Sequence, residues 1–164
     1  MAVVDKYADD NVEAGKKTSS LKTGSGIETV TLINVEAVAA ADDDGSVYRI
    51  LADVPSSYIP VTICIHNDAI TGGTDYDLGL YKTNGGAVVD KDILADGISM
   101  ASARTIATLN NAGMTTIALE TLATLGTLSA QAEVDSAYDI AFTANTVGTA
   151  AGDIRVTATF AVLS

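Results

Sequence analysis

The sequence has little of the residues that build disulfides, metal centres or membrane spans. Its 164 residues contain no tryptophan, two prolines, one cysteine (Cys64) and one histidine (His66). A single cysteine excludes an internal disulfide, and one histidine without a second cysteine makes a zinc site implausible. No stretch approaches the ~20 apolar residues of a membrane span. The N-terminal segment is acidic where a signal peptide has a basic start, so we expect synthesis in the cytoplasm.

Basic residues are also scarce, since 9 lysines and arginines stand against 21 aspartates and glutamates. Residues 1–25 hold four of each sign, so residues 26–164 carry the whole formal charge of −12. Direct binding to nucleic acid is therefore not expected, because phosphate contacts need Lys and Arg. A net charge of one sign suits a soluble protein that resists loose self-association.

The sequence is rich in alternating apolar and polar residues between glycine- and asparagine-containing turns. Asp75–Tyr81 and Ile154–Val162 show the period of two that is typical of a half-buried antiparallel strand. Asn84-Gly85-Gly86 supplies the positive φ of a hairpin turn. About eight strands are spaced as in a sandwich or jelly roll. We predict an all-β domain over residues 26–164, an antiparallel jelly-roll-like β-sandwich of about eight strands, with an extended N-terminal arm over residues 1–25.

Three segments have a less regular pattern. In Ile27–Ala39 the apolar face shifts phase at Ile33, which predicts a bulge or burial on both sides of the strand. Ser99–Leu109 is rich in Ala and Thr and fits either a strand or a short helix. A short helix is predicted near Leu119–Leu125, where leucines recur at a period of about three.

Two parts of the chain share one plan. Residues 68–96 and 137–156 each contain Tyr-Asp followed by an apolar residue, an alternating strand and a glycine-rich turn. The two segments are therefore interpreted as hairpins that form corresponding halves of the fold.

No group of residues stands out as a catalytic centre. Cys64, His66 and Asp68 alternate on one strand face, but residues two apart are separated by about 6.6 Å, whereas a catalytic triad needs contacts near ~3 Å. The acidic segment 42–46 lacks the first and last ligands of a calcium loop and is interpreted as an exposed turn. The aspartates of residues 90–96 are interpreted as solvated charge. We therefore predict that the protein is not an enzyme and holds neither a metal nor a cofactor.

The N-terminal arm has two interpretations. Its Lys, Thr, Ser and Gly content buries too little apolar surface to offset chain entropy, which is typical of a disordered tail. Its apolar residues Val3, Val4, Tyr7 and Val12 could instead anchor it to a partner.

Three segments carry a family resemblance: AAADDDGSVYRILADVPSS (39–57), NDAITGGTDYDLGLYKTNGGAVVDKDILADGISMASAR (67–104) and SAYDIAFTANTVGTAAGDIRV (136–156). In these segments the chain resembles the capsid decoration, or cement, proteins that are encoded beside the major capsid protein in tailed bacteriophages and prophages. The resemblance implies a jelly-roll-like fold and a homo-oligomer, dimer or trimer. It also implies binding to the major capsid protein on the outer surface of the virion, which the bound protein stabilises.

The resemblance suggests where the shell is contacted. A lysine-bearing arm could lie in a groove between capsomers, or add a strand to a neighbour's sheet edge, while two loops of the body supply further contacts. The predicted contact residues are Val3, Val4, Tyr7, Lys16, Lys17, Lys22, Asp42, Asp43, Asp44, Asn145 and Thr146.

Two other functions stay open at the level of sequence. A tail- or fibre-associated β module that binds host-surface glycans would use exposed loops on the same kind of fold, although the chain lacks the tryptophans that often stack on sugars. A small hydrolase on a β scaffold would need an activated base, for which His66 is the best candidate.

Overall fold

A computed structural model describes residues 3, 5–7, 19–23, 27–106, 121–128 and 135–163. Within these ranges the chain forms ten strands and one short helix. They are β1 (Asp5–Tyr7), β2 (Ser19–Thr23), β3 (Ile27–Val38), β4 (Ser46–Pro55), β5 (Ile59–Asn67), β6 (Asp75–Lys82), β7 (Val88–Ile98), β8 (Arg104–Ile106), α1 (Leu122–Leu128), β9 (Ala137–Thr146) and β10 (Gly152–Leu163).

The strands form two five-stranded sheets with the orders β1-β4-β9-β6-β7 and β2-β3-β10-β5-β8. Every neighbouring pair is antiparallel except β1 with β4, which is parallel. The eight strands β3 to β10 pair first with last, as β3–β10, β4–β9, β5–β8 and β6–β7. This nesting is the topology of a jelly roll, so the predicted all-β sandwich is confirmed.

The core lies between the two sheets and is built by alternate residues of each strand. Tyr76, Leu78 and Leu80 of β6 are fully buried, as predicted from their period of two, and Ile154 and Phe160 of β10 oppose them from the other sheet. Each such side chain contributes about 1.5–3 kcal/mol of hydrophobic free energy when it leaves water. β6 and β10 therefore hold the two sheets together through this core.

The predicted irregularity of β3 is wrong. β3 pairs with β10 over its whole length without a register shift, and its pairing with β2 is equally regular. Val30 and Val38 point into the core, whereas Ile33 on the opposite face is 56% exposed. Because β3 is bonded on both sides, its register is held and its outward apolar residues stay at the surface.

The predicted turn is confirmed. Asn84 and Gly85 have φ of 57° and 72°, and the Gly86 amide donates to the Thr83 carbonyl at 3.1 Å, which closes a two-residue hairpin turn. Beyond the turn, β7 pairs back on β6 as predicted, but it advances from Asp90 to Ala95 while β6 advances only from Leu80 to Leu78. The extra residues form a bulge that sequence patterns did not indicate.

The interpretation of the two Tyr-Asp segments as corresponding hairpins is wrong. The first segment is a hairpin of β6 and β7 within one sheet, but β9 and β10 lie in different sheets. The two strands that carry Tyr-Asp, β6 and β9, are antiparallel neighbours in one sheet, with Tyr76 opposite Ala144 and Lys82 opposite Tyr138.

The least regular segment contains a strand and a helix. Within the ambiguous Ser99–Leu109 the structure places the strand β8, and α1 begins three residues later than the predicted helix. Thr121 caps α1, since its hydroxyl accepts the Thr124 amide at 3.2 Å. The buried Leu122 donates its amide to the Tyr58 carbonyl at 2.9 Å, so α1 covers the end of the sandwich near the β4–β5 turn.

Candidate interaction surface

Four loops meet at one end of the sandwich, which we call the loop end: residues 39–45, 68–74, 99–103 and 147–151. Jelly-roll pairing brings them together, because β3, β5, β7 and β9 all finish at this end. Backbone hydrogen bonds then join the loops. Among these bonds, the amide of Thr149 donates to the carbonyl of Thr71 (2.8 Å) and that of Met100 to the carbonyl of Gly73 (2.8 Å). The loop of residues 39–45 is joined through the Val147 amide, which donates to the Asp44 carboxylate at 2.9 Å. The loop end is therefore a continuous bonded surface rather than four independent loops.

The predicted contact residues Asp42, Asp43 and Asp44 lie at the loop end but differ in their availability. Asp42 is buried, and its carboxylate accepts the Tyr48 hydroxyl at 3.0 Å and the Ala39 amide at 2.9 Å. Burial and the neighbouring Asp42 raise the pKa of Tyr48 well above its usual value, so Tyr48 remains a donor. Asp44 is exposed, although one of its oxygens accepts the Val147 amide at 2.9 Å. Asp43 and Asp44 thus keep carboxylate surface for a partner.

The predicted contact residue Asn145 belongs to an internal polar network. Its amide nitrogen donates to Asp77 at 2.7 Å, and its oxygen accepts Lys91 Nζ at 2.9 Å, while Lys91 lies 3.0 Å from Asp77. Burial disfavours the charged form of Asp77, but the hydrogen bonds from Asn145, Gly97 and Lys91 outweigh it and hold the pKa of Asp77 below its usual value. Asn145 therefore holds the β7 bulge against β6 and β9. Thr146 is half-buried and lies opposite Asp75, where the pairing of β9 with β6 ends.

The Asp of the second Tyr-Asp pair, Asp139, forms an ion pair as Asp77 does, but here both partners are buried. Arg49 and Asp139 are each about 1% exposed, and Arg49 Nη1 lies 3.0 Å from Asp139 Oδ2. Arg49 also donates to the carbonyls of Lys82 (2.9 Å) and Gly86 (2.7 Å), and its guanidinium lies 5.1 Å from the Tyr81 ring centroid. This ion pair was not predicted from the sequence. The feature that could have indicated it is a single Arg between apolar residues of a predicted strand, because a buried Arg needs an acidic partner.

Part of the predicted arm is bonded to the body of its own chain. β1 adds to the edge of β4, with Tyr7 opposite Arg49, and β2 adds to the edge of β3, with Lys22 opposite Glu28. Val3 is 63% exposed and lies beside Gly45 at the loop end. The structure therefore brings Val3 and the acidic turn together. Three other predicted contact residues, Val4, Lys16 and Lys17, lie outside the described residues.

The argument that kept Cys64 and His66 apart is wrong. Cys64 Sγ lies 3.4 Å from His66 Nε2, so the two side chains converge above the strand and close the backbone spacing. The third member of that set, Asp68, accepts the Asp153 amide at 3.1 Å. His66 and Asp68 also line an open cavity of about 330 Å³ on the outer side of β5 and β10.

The described ranges hold no cluster of three or more His, Cys, Asp or Glu side chains arranged to bind a metal ion. In the acidic turn each of the three carboxylates accepts a backbone amide through one oxygen, and that of Asp42 also accepts a tyrosine hydroxyl. The helix that the structure describes is too short to cross a bilayer.

Comparison with known proteins places the fold. No model of a protein family matches the chain, and no curated protein matches its sequence. A chain of the capsid of Ralstonia phage GP4 superposes with a TM-score of 0.61 over 100% of this chain and 99% of that chain, at 10% identity. A chain of the cyanophage Pam1 capsid asymmetric unit gives a TM-score of 0.50 over 91% and 95%, at 14% identity. The chain thus has a jelly-roll sandwich of a type found in bacteriophage capsids.

Proposed function

We propose that this chain is a virion structural protein, a decoration or cement protein that binds the outer surface of an assembled bacteriophage capsid and stabilises it. The observation that carries the proposal is the end-to-end likeness to a chain of the Ralstonia phage GP4 capsid, which covers 100% and 99% of the two chains. The sequence resemblance to decoration proteins supports the same function.

The major capsid protein is the proposed partner, and the loop end is the proposed contact surface. Val3, Asp43 and Asp44 lie together there, although the sequence separates them by about forty residues. The hydrogen bonds between the loops hold this surface in one shape, so little conformational entropy is lost when it binds. Many identical copies on a symmetric shell would gain avidity, so each contact can be modest.

The charge of the chain supports a place outside the shell. A net charge of −12 opposes contact with packaged nucleic acid. The protein would be made in the cytoplasm of the bacterial host and join the virion as a homo-oligomer, a dimer or a trimer, without entering a membrane. Stabilisation follows by linkage, because a protein that binds only the mature shell favours that state.

Capsids purified without this protein give the direct test. The purified chain should co-sediment with mature shells and raise the temperature at which they release DNA, and it should not bind the immature shell. The substitution Val3→Asp should weaken binding, whereas Val88→Asp, at a residue of similar exposure (52% against 63%) on β7, should not. Absence of binding to any shell, together with retention on a glycan array, would replace the proposal with a glycan-binding tail module.

A further inference from the structure

The outer face of the β3-β10-β5 sheet carries an uncharged, β-branched surface. Two rows of paired residues run across it, Ile33–Thr157–Cys64 and Thr31–Thr159–Thr62. We call these six residues the threonine face. Ile33 is 56% exposed, and Val61, which forms the β5 bulge beside the second row, is 49% exposed. No charged side chain lies in the two rows.

The outer face of the β1-β4-β9-β6-β7 sheet is different, because its side chains are covered. There Arg49, Asp77 and Asp139 are nearly inaccessible, and Tyr81 and Thr143 share a hydrogen bond. The β7 bulge and the turn after β6 fold over these side chains, so that face is covered by its own chain. A solvent-facing side of an antiparallel sheet usually carries polar residues. The threonine face is polar but uncharged, it holds the exposed apolar side chains of Ile33 and Val61, and no described residue covers it.

A mixed-charge patch borders the threonine face toward the loop end. It consists of Arg104, Arg155, Asp68 and Asp153, which with His66 line the 330 Å³ cavity. Asp68 and Asp153 are bonded to each other, since the Asp68 amide donates to the Asp153 carbonyl at 2.9 Å and the Asp153 amide donates to the Asp68 carboxylate at 3.1 Å. Among the described residues, no ion pair involves Arg104 or Arg155. Two arginines beside two aspartates can pair with an identical patch that faces them across a two-fold axis.

We propose that a second copy of this chain packs on the threonine face, across a two-fold axis near Arg155, so that the arginines of each mixed-charge patch meet the aspartates of the other. This interface rests on the proposed function, which includes a homo-oligomer, and it specifies the surface through which two copies contact each other. Elsewhere the net charge of −12 makes two copies repel, whereas here the uncharged rows and the balanced charges allow close approach.

The face supplies about half the area of a standard contact. Its three strands, spaced about 4.8 Å apart over about nine residues of 3.3 Å each, present about 430 Å². A standard protein interface buries about 800 Å² on each partner, and the loops around the mixed-charge patch can supply the difference. The apolar side chains of Ile33 and Val61 would lie inside this contact, where a new charge is costly.

Sedimentation equilibrium of the free protein tests the surface. We expect the wild-type chain to be a dimer, and we expect Ile33→Lys to weaken the dimer by about tenfold or more. Val88→Lys is the matched control, since Val88 is 52% exposed but lies on the other sheet, and it should leave the dimer intact. Circular dichroism and thermal unfolding of both variants establish that they are folded.

The charge pairing has its own test. Arg104→Glu/Arg155→Glu makes the patch wholly acidic, and Asp153→Lys makes it predominantly basic. Each variant alone should dimerise less than the wild type, while a mixture of the two should form heterodimers that native mass spectrometry detects. Absence of heterodimer enrichment would overturn the two-fold pairing of the patches.

Two further outcomes would overturn the proposal. One is a wild-type chain that stays monomeric at all accessible concentrations. The other is a dimer that Ile33→Lys leaves unchanged. If Ile33→Lys instead abolishes binding to shells without changing the oligomeric state, the threonine face contacts the capsid and not a second copy. Binding of the wild-type chain to shells is measured separately, so failure of the dimer and failure of the decoration function are distinguishable.

Discussion

At the scale of single residues, the buried pair of Arg49 and Asp139 is the most sensitive interaction described. Replacing Arg49 by Met should lower the free energy of unfolding by about 3–5 kcal/mol, because it leaves the Asp139 charge buried without its partner. Denaturant unfolding measures this loss. The control is Lys82→Met, which breaks a 3.7 Å pair with Asp135 whose side chains are 47% and 37% exposed, and it should cost less than about 1 kcal/mol. Equal losses in the two variants would contradict this assignment.

The carboxyl group of Asp77 makes the stability of the protein depend on pH. Its folded-state pKa lies below the unfolded value of about 3.9. Asp77 therefore stabilises the fold above about pH 4, and this contribution disappears as the pH falls through the folded-state pKa. The difference in unfolding free energy between the wild type and Asp77→Asn should be larger at about pH 6 than at about pH 2.5. A difference that does not change with pH would refute this role.

Tyr76 and Asp77 of β6 show how far inference from sequence reaches for single residues. The alternation of β6 correctly predicted that Tyr76 is buried and that Asp77 lies on the opposite face. It could not predict that the opposite face is also covered, since Lys91 reaches Asp77 only because β7 bulges over β6. The period of a strand predicts on which face of the sheet a side chain lies. It does not predict which residues of another strand cover that face.

At the scale of elements, Gly79 allows the β7 bulge to cross β6. A Cβ at this position would lie 2.0 Å from the Asp90 carbonyl oxygen, so Gly79→Ala must displace backbone. We expect a loss of about 1–3 kcal/mol in unfolding free energy, or more. At Gly97 no atom lies within 4 Å of an added Cβ, so Gly97→Ala should cost only the ~1 kcal/mol of a positive φ. Thermal unfolding of the two variants compares them, and a smaller loss for Gly79→Ala would contradict the close approach.

The N-terminal segment provides a second prediction about elements. The jelly roll of β3 to β10 is complete without β1 and β2, which add only to sheet edges. Deletion of residues 1–25 should therefore leave a folded body that has lost binding to shells, as measured by circular dichroism and co-sedimentation. Undiminished binding would remove the arm from the proposed contact surface, and an unfolded body would show that the edge strands are structural.

At the scale of the whole molecule, the charge distribution predicts which large partners are excluded. The three arginines include one that is buried in an ion pair, and the body carries 17 acidic residues. The free protein should therefore not retard duplex DNA in a gel, even at low salt where phosphate contacts are strongest. Retardation that disappears as salt is raised would show a basic surface that these residues do not explain.

The sequence by itself determined the class of fold, the main hydrophobic strands and the hairpin turn at Asn84-Gly85. These features depend on residues close in the chain, where a period of two or a positive φ leaves a direct trace. Only the tertiary structure decided that β9 and β10 lie in different sheets, that Cys64 contacts His66, and that Ile33 of β3 stays exposed on the outer face. Each of these depends on which strands become neighbours, and that choice is made by packing between residues far apart in the chain.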